Sequence, residues 1–265
     1  RLASPPLRAG FVAVGIVLLL VPLAGDTFTM VLLIDVFVLT LFATSLHFIF
    51  GPGGMVSFGH AAYFGLGAYG AALAVKFFSL PMEIAMGAGL VAAFAGAVLF
   101  GWFSVRLSSV YFSMLTLAFA QIVWSVVFQW GELTGGDDGI LDVWPSPWAR
   151  DKAAFYYLAL ALCGSGIWFM RRVLHAPFGY ALRAGRDAPL RSDAIGIDVR
   201  RHQWLAFILA GVLAGLAGTL FVFSKGSVFP DVMAIPQSID ALMMVLLGGV
   251  KTLAGPVVGA ASFHL

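Results

Sequence analysis

Stretches of about twenty apolar residues recur along this chain, separated by short polar interruptions. That length is what an α-helix needs to cross a hydrocarbon core of about 30 Å. The pattern predicts spans at 11–23, 28–50, a Gly-rich stretch reaching 78, then 82–105, 110–130, 153–170, 204–223 and 239–250, with a further piece from 253. The fold class that follows is all-α: a polytopic integral membrane protein of about 8–10 transmembrane helices, including a broken Gly-rich element. One membrane domain covers 1–265, with a polar loop at 171–203 inside it. The stretch 11–23 lies behind Arg1 and Arg8 and resembles a signal-peptide core, but it runs on into further spans without a small-residue cleavage site. It therefore reads as a first spanning helix. A first residue other than Met and an apolar run at Leu265 suggest a chain trimmed at both ends.

Composition removes the soluble alternative. The chain is 61% hydrophobic and 11% charged, against about 25% charged residues in a soluble domain. A surface built from so few charges could not be solvated. Cysteine adds nothing, since Cys163 alone permits neither a disulfide framework nor metal-ligand spacing.

Charge supplies an orientation. The segment 171–203 carries seven arginines against three aspartates, while the whole chain is only +2. Arginine concentrated between apolar spans marks the cytoplasmic side. Counting spans from there puts the N-terminus and Arg106 inside and 131–152 outside. The latter holds five acids against two bases. Lys76 and Lys225 are exceptions to the rule.

The stretch 51–70, GPGGMVSFGHAAYFGLGAYG, is predicted to break the helix at Gly51-Pro52-Gly53-Gly54. Non-helical backbone at membrane depth survives only where protein or a water-filled cavity shields it. Ser57, Gly59, His60, Tyr63, Gly67 and Tyr69 are therefore candidates for a translocation path, with Thr116 and Gln121 from the span 110–130. The opposing reading is a packing seam in which a neighbouring carbonyl satisfies His60. Asp35, mid-span, and Asp240 are the isolated acids of the spans. Asp35 reads as an interface carboxylate paired with a hydroxyl or a basic partner subunit, and His47 as polar glue between helices. Small residues at Gly211/Gly215, Ala214/Gly218 and Gly255/Gly259 recur at the four-residue spacing that lets helix backbones approach closely.

Chemistry is sparse. Lys251-Thr252 after a Gly pair fails as a phosphate-binding loop because Val250 and Val245 stand where Gly is required. The five histidines form no metal-ligand spacing. No catalytic residue, metal or cofactor is expected, and any ATP hydrolysis belongs to another chain. A secondary transporter or channel would show intramembrane charge pairs or a filter-like ring, and a membrane-embedded enzyme a His/Asp/Glu or Ser/His cluster.

Four segments in order resemble the LivM-type permease subunits of the branched-chain amino-acid ABC importer family. They are GGMVSFGHAAYFGLGAY, the block 110–140 with its Thr134-Gly135-Gly136, the stretch 178–220, and the block 228–260. Together they cover more than half of the chain. The resemblance implies a subunit of the bacterial inner membrane, moving substrate by alternating access. Its implied partners are a homologous permease, two ATP-binding subunits, a periplasmic substrate-binding protein and membrane lipid, with no nucleic acid. The implied cargo is a branched-chain or other small amino acid. The alternatives are a related importer for urea or short amides, and an ATP-independent secondary transporter.

On that resemblance 183–196 is the segment that couples to an ATPase, with Arg183, Arg186, Asp187, Asp193, Ala194 and Gly196 as its candidate residues. The family's Glu-Ala-Ala…Gly reads here Arg191-Ser192-Asp193-Ala194-Ile195-Gly196. Pro189 departs from the family pattern and suits the first turn of a helix. Lys251 departs too, standing where the family has Gly. The loop 131–152 becomes the candidate landing surface for the binding protein, with Asp137 and Asp138 as its contacts and Trp144 and Trp148 as interfacial anchors.

Overall fold

The computed structural model describes residues 15, 17–24, 26–107, 109–250, 252 and 254–264. Among them the chain is helical, with a single isolated antiparallel bridge between Ile140 and Val228. The helices are α1 (Thr27–Phe50), α2 (Ala61–Phe78), α3 (Met82–Ser104), α4 (Ser109–Gln129) and α5 (Lys152–Leu174). After them come α6 (Pro177–Asp187), α7 (Pro189–Ala194), α8 (Val199–Lys225), α9 (Ile235–Gly248) and α10 (Gly255–His264). Six of them, α1 to α5 and α8, are long and apolar enough to cross a membrane. This is a multi-pass membrane protein.

Six described spans are fewer than the 8–10 expected. The span at 11–23 lies largely outside the described residues, and its described end closes in a 3-10 turn, Val21–Ala24. The span expected at 239–250 starts earlier, at Ile235, and stops at Gly248 after 14 residues. At 1.5 Å per residue that is about 21 Å, short of a hydrocarbon core. α9 is therefore too short to cross the core alone, and it pairs with α10.

Local chemistry places the helix ends. Asp26 caps α1 by accepting from the Phe28 amide, and Asp198 caps α8 by accepting from the Arg201 amide. Gly226, at φ +71°, ends α8 in the left-handed conformation that only Gly adopts without cost. Pro177 and Pro189 sit in the first turns of α6 and α7, as expected for Pro189. Consequently 171–203 is mostly helix rather than a loop. Arg171 and Arg172 belong to the last turn of α5, and Arg200 and Arg201 to the first of α8.

The core is a seam of small residues. α8 packs against α1, α2 and α3, and α2 against α3. A Cβ at Gly67 would land on the backbone of Gly215, and one at Gly89 on the Gly67 carbonyl and Thr219. Gly211 meets Ala97 and Tyr63, Gly215 meets Ala93, and Gly218 meets the Phe64 carbonyl. The four-residue small motifs of α8 thus do what their spacing predicts. Close backbone approach maximises dispersion contacts where lipid supplies no hydrophobic drive. Gly259 of α10 sits likewise on the Met244 carbonyl of α9.

Candidate functional site

α1 stops at Phe50, and the chain then runs without helix until α2 begins at Ala61. The break turns at the arginine-rich end and climbs back along α1, because His60 Nε2 meets Ser45 Oγ at 2.8 Å. The expected break is therefore present, and its irregular backbone lies alongside helical turns of α1. Protein shields it. Ser113 of α4 donates to the Val56 carbonyl at 2.7 Å, and the Thr116 carbonyl packs on Gly59 so closely that a Cβ there would clash. Ser238 of α9 accepts from the Ala61 amide at 2.9 Å, covering one of the orphan donors at the start of α2. The break and its junction with α2 are thus held by side chains of α1, α4 and α9.

Ser57, His60, Tyr63 and Tyr69 are all buried within this fold, as are Gly59, Gly67 and Thr116. His60 stacks on Phe42 with ring centroids 5.6 Å apart and meets Tyr63 edge-on at 5.9 Å. Its partner is the Ser45 hydroxyl, not the backbone carbonyl expected of a packing seam. Among the described residues Ser57 Oγ, Tyr69 Oη and His60 Nδ1 are buried without a hydrogen-bond partner. Unpaired polar atoms in such a place cost roughly 1–3 kcal/mol each. Gly67 belongs to the α2–α3–α8 seam. Gln121 stands apart, on the exposed face of α4 beside Ser125, because Thr116, Ala120 and Val123 take the inward face. The structure therefore brings Thr116 to the cluster and leaves Gln121 out of it. Ser45, Ser113 and Ser238 were not singled out from the sequence. A lone serine in an apolar helix carries no signal of which neighbour it will meet.

Two further intramembrane polar groups find partners in this chain. Asp35 pairs with Lys225 at 2.7 Å, which replaces the hydroxyl or partner-subunit base expected for it. The antiparallel crossing of α1 and α8 puts position 35, two turns into its helix, beside the last residue of α8. His47 Nε2 meets the Val250 carbonyl at 2.7 Å, so this histidine ties α1 to the turn after α9. Lys251 lies outside the described residues.

At the arginine-rich end α6 and α7 form an angled pair. Arg186 donates to the Gly51 carbonyl at 2.5 Å, and its methylenes fill the space that a side chain at Gly54 (φ +66°) would need. The same guanidinium pairs with Asp187 at 2.8 Å and holds that carboxyl below the ordinary carboxylate range. Arg183 lies 5.7 Å from the ring centroid of Tyr180. Asp193 Oδ1 accepts from the Val199 amide at 3.5 Å, while Ala194 is exposed. Gly196 (φ +87°) closes α7, its amide bonding to the Asp193 carbonyl and Ile197 returning to Ser192. The outer faces are apolar: Leu190 is 84% exposed and Ile195 76%. A cavity of about 470 Å³ lies between this pair and the break, lined by Gly53, Gly54, Met55, Arg186 and Asp193 among others.

At the opposite end the loop 131–152 folds back as a cap. Ile140 and Val228 exchange backbone hydrogen bonds, and the Val143 amide bonds the Gly226 carbonyl at 2.9 Å. Ser146 accepts from the Met82 amide, and the Trp148 indole donates to Glu83. Asp137 and Asp138 remain exposed in a 3-10 turn, and Trp144 and Trp148 are exposed too.

Against known proteins, residues 28–265 match the family described as branched-chain amino acid transport system / permease component. The chain is 30% identical to the high-affinity branched-chain amino acid transport system permease protein LivM of Escherichia coli, over 77% of this chain and 54% of that protein. The same figures hold for LivM of Salmonella typhimurium. A probable branched-chain amino acid transport permease protein, LivH of Methanocaldococcus jannaschii, is 38% identical over 31% of this chain and 25% of its own. The chain spans about half the length of the LivM proteins that it matches. No solved structure matches it. This chain belongs to the branched-chain amino acid transport permease family.

Proposed function

We propose that this permease forms one half of the membrane pore of an ATP-driven importer, passing branched-chain or other small amino acids delivered by a periplasmic binding protein. The single observation that carries the coupling half of this reading is the α6–α7 pair. It presents Leu190 and Ile195 outward while Arg186 grips the break between α1 and α2. A push on α6–α7 by an ATP-binding subunit is thereby transmitted to Gly51, and so to the non-helical backbone beside Ser57 and His60. In this reading the arginine-rich end is cytoplasmic, a homologous permease covers part of the exposed helix faces, and the cap carrying Asp137 and Asp138 receives the binding protein. The name of the LivM relatives supports the choice of branched-chain substrates.

The test is stimulation of ATP hydrolysis by loaded binding protein in the reconstituted assembly. Leu190→Asp and Ile195→Asp are expected to lower it at least about tenfold, since each puts a charge into a closely packed apolar contact. Stimulation equal to that of the parent protein in both variants removes the coupling assignment. Uptake of leucine, isoleucine and valine against urea and acetamide separates the amino-acid reading from the urea or amide one.

A further inference from the structure

A second site lies at the arginine-rich end, between the last turn of α3 and the first of α8, adjoining the cavity beside the coupling pair, with which it shares Val105, Arg106 and Arg200. A cavity of about 410 Å³ opens there, lined by Trp102, Arg106, Asp198, Arg200, Arg201 and Trp204. It holds three guanidinium groups and one carboxylate, and that carboxylate is committed to capping α8 through the Arg201 amide. The walls are already set. Arg106 stacks over Trp102 at 4.3 Å, Trp102 and Trp204 meet edge-on at 5.2 Å, and the Trp204 indole donates to the Val98 carbonyl at 3.2 Å. Arginine fixed against an aromatic face, with its fork of donors still open, suits a phosphate better than it suits a water-exposed tether.

What leads away from the cavity selects the occupant. Leu99, Trp102 and Phe103 lie on one side of the last turns of α3, just before Arg106 in the turn that follows, and each is about half exposed. Ile84, Val91 and Phe94 continue the exposed apolar surface of α3 toward its other end, and only 28% of the most apolar stretch of this helix is buried in the chain. A polar cationic pocket at the membrane boundary continuous with such a surface has the two-part chemistry of a phospholipid, headgroup below and acyl chain above. A free anion would use the first part and leave the second unexplained.

We propose that Arg106, Arg200 and Arg201, framed by Trp102 and Trp204, form a binding site for the phosphodiester headgroup of an anionic glycerophospholipid, whose acyl chain lies along the Leu99–Phe103 face of α3. The site does not depend on which leaflet the arginine-rich end faces. Because Arg200 stands in the first turn of α8 and α8 follows α7 directly, an occupied site would also brace the coupling pair from behind.

The experiment is native mass spectrometry of the full importer assembly in detergent, titrated separately with phosphatidylglycerol, cardiolipin and phosphatidylethanolamine. The parent protein is expected to retain the first two in preference to the third. The double variant Arg106→Gln/Arg200→Gln is expected to weaken phosphatidylglycerol retention about 25-fold, a factor of about five for each arginine near an anionic surface. Arg106→Lys/Arg200→Lys, which keeps the charge, is expected to keep most of the preference, and Arg172→Gln, which removes one charge elsewhere at that end, to leave it unchanged. Folding of the variants is monitored by thermal unfolding. Inorganic phosphate at millimolar concentration is expected not to displace the lipid; full displacement would show a free-anion site and overturn the assignment. Equal retention of all three lipids, equal loss in Arg172→Gln, or loss of an ATP-binding subunit from the double variant with lipid retention unchanged would each overturn it as well.

Discussion

α8 and α3 are both long apolar helices of the same fold, yet 72% of the α8 window is buried against 28% of that of α3. Apolarity alone does not tell them apart. The difference lies in where the small residues fall: α8 turns Gly211, Gly215 and Gly218 toward Tyr63, Ala93 and Phe64, whereas α3 meets the seam through Gly89 and leaves Gly87 with open space beside it. In lipid the hydrophobic effect is indifferent to which apolar surface is inside, so packing complementarity decides. A central helix here is one whose backbone can be approached.

The largest expected effect breaks that distinction directly. Gly67→Leu, at the three-way contact with Gly215 and Gly89, is expected to cost about 3 kcal/mol or more and to abolish uptake, because backbone rather than a flexible side chain occupies the space. Gly87→Leu is expected to change stability by less than about 0.5 kcal/mol. Thermal unfolding in detergent and uptake in vesicles check both, and matching losses would dissolve the contrast between centre and rim.

A smaller effect comes from the ion pair that fastens α1 to α8. Lys225→Met leaves the Asp35 carboxylate, 14% exposed, without its ammonium partner. A loss of about 2 kcal/mol is expected, below that of a fully buried pair because the lysine is 37% exposed. Adding Asp35→Asn should return most of it. A loss in the double variant equal to the sum of the losses in Lys225→Met and Asp35→Asn would mean that the two side chains act independently.

Arg186→Lys sharpens the comparison at the coupling pair. The charge stays, but one guanidinium can no longer serve both Asp187 and the Gly51 carbonyl. Stimulated ATP hydrolysis is expected to persist while uptake per ATP falls several-fold, about 1 kcal/mol of lost coupling. Uptake and hydrolysis falling together would point to lost docking rather than lost transmission. Least of all, Asp137→Asn with Asp138→Asn is expected to slow capture of the loaded binding protein a few-fold at low ionic strength and hardly at all near 0.15 M salt. Surface plasmon resonance at the two salt concentrations measures it, and a salt-independent rate would leave the cap a structural closure only.

Much of this was legible in the residues. Apolar length predicts most of the spans, Gly51-Pro52-Gly53-Gly54 predicts the break, and Pro189 predicts the start of α7, the last two because they rest on local backbone sterics. The small-residue spacing of α8 predicts close packing, although not which helices receive it. The partner of His60, the pairing of Asp35 with Lys225 and the separation of Gln121 from Thr116 were not legible. Residues 45 and 60 are joined across a break of unknown path, and 35 and 225 lie 190 positions apart.

Sequence by itself determined the membrane class, the positions of the long helices and of the break after α1, and the charge of the two ends, since these depend on side-chain transfer to lipid and on φ/ψ preference within a few residues. Only tertiary structure decided which helix lies at the centre, that α9 falls short of a span, that Arg186 reaches the break, and that Arg106 joins Arg200 and Arg201. Those are outcomes of competition among many apolar surfaces of nearly equal transfer energy. Shape and the few available polar partners break the tie.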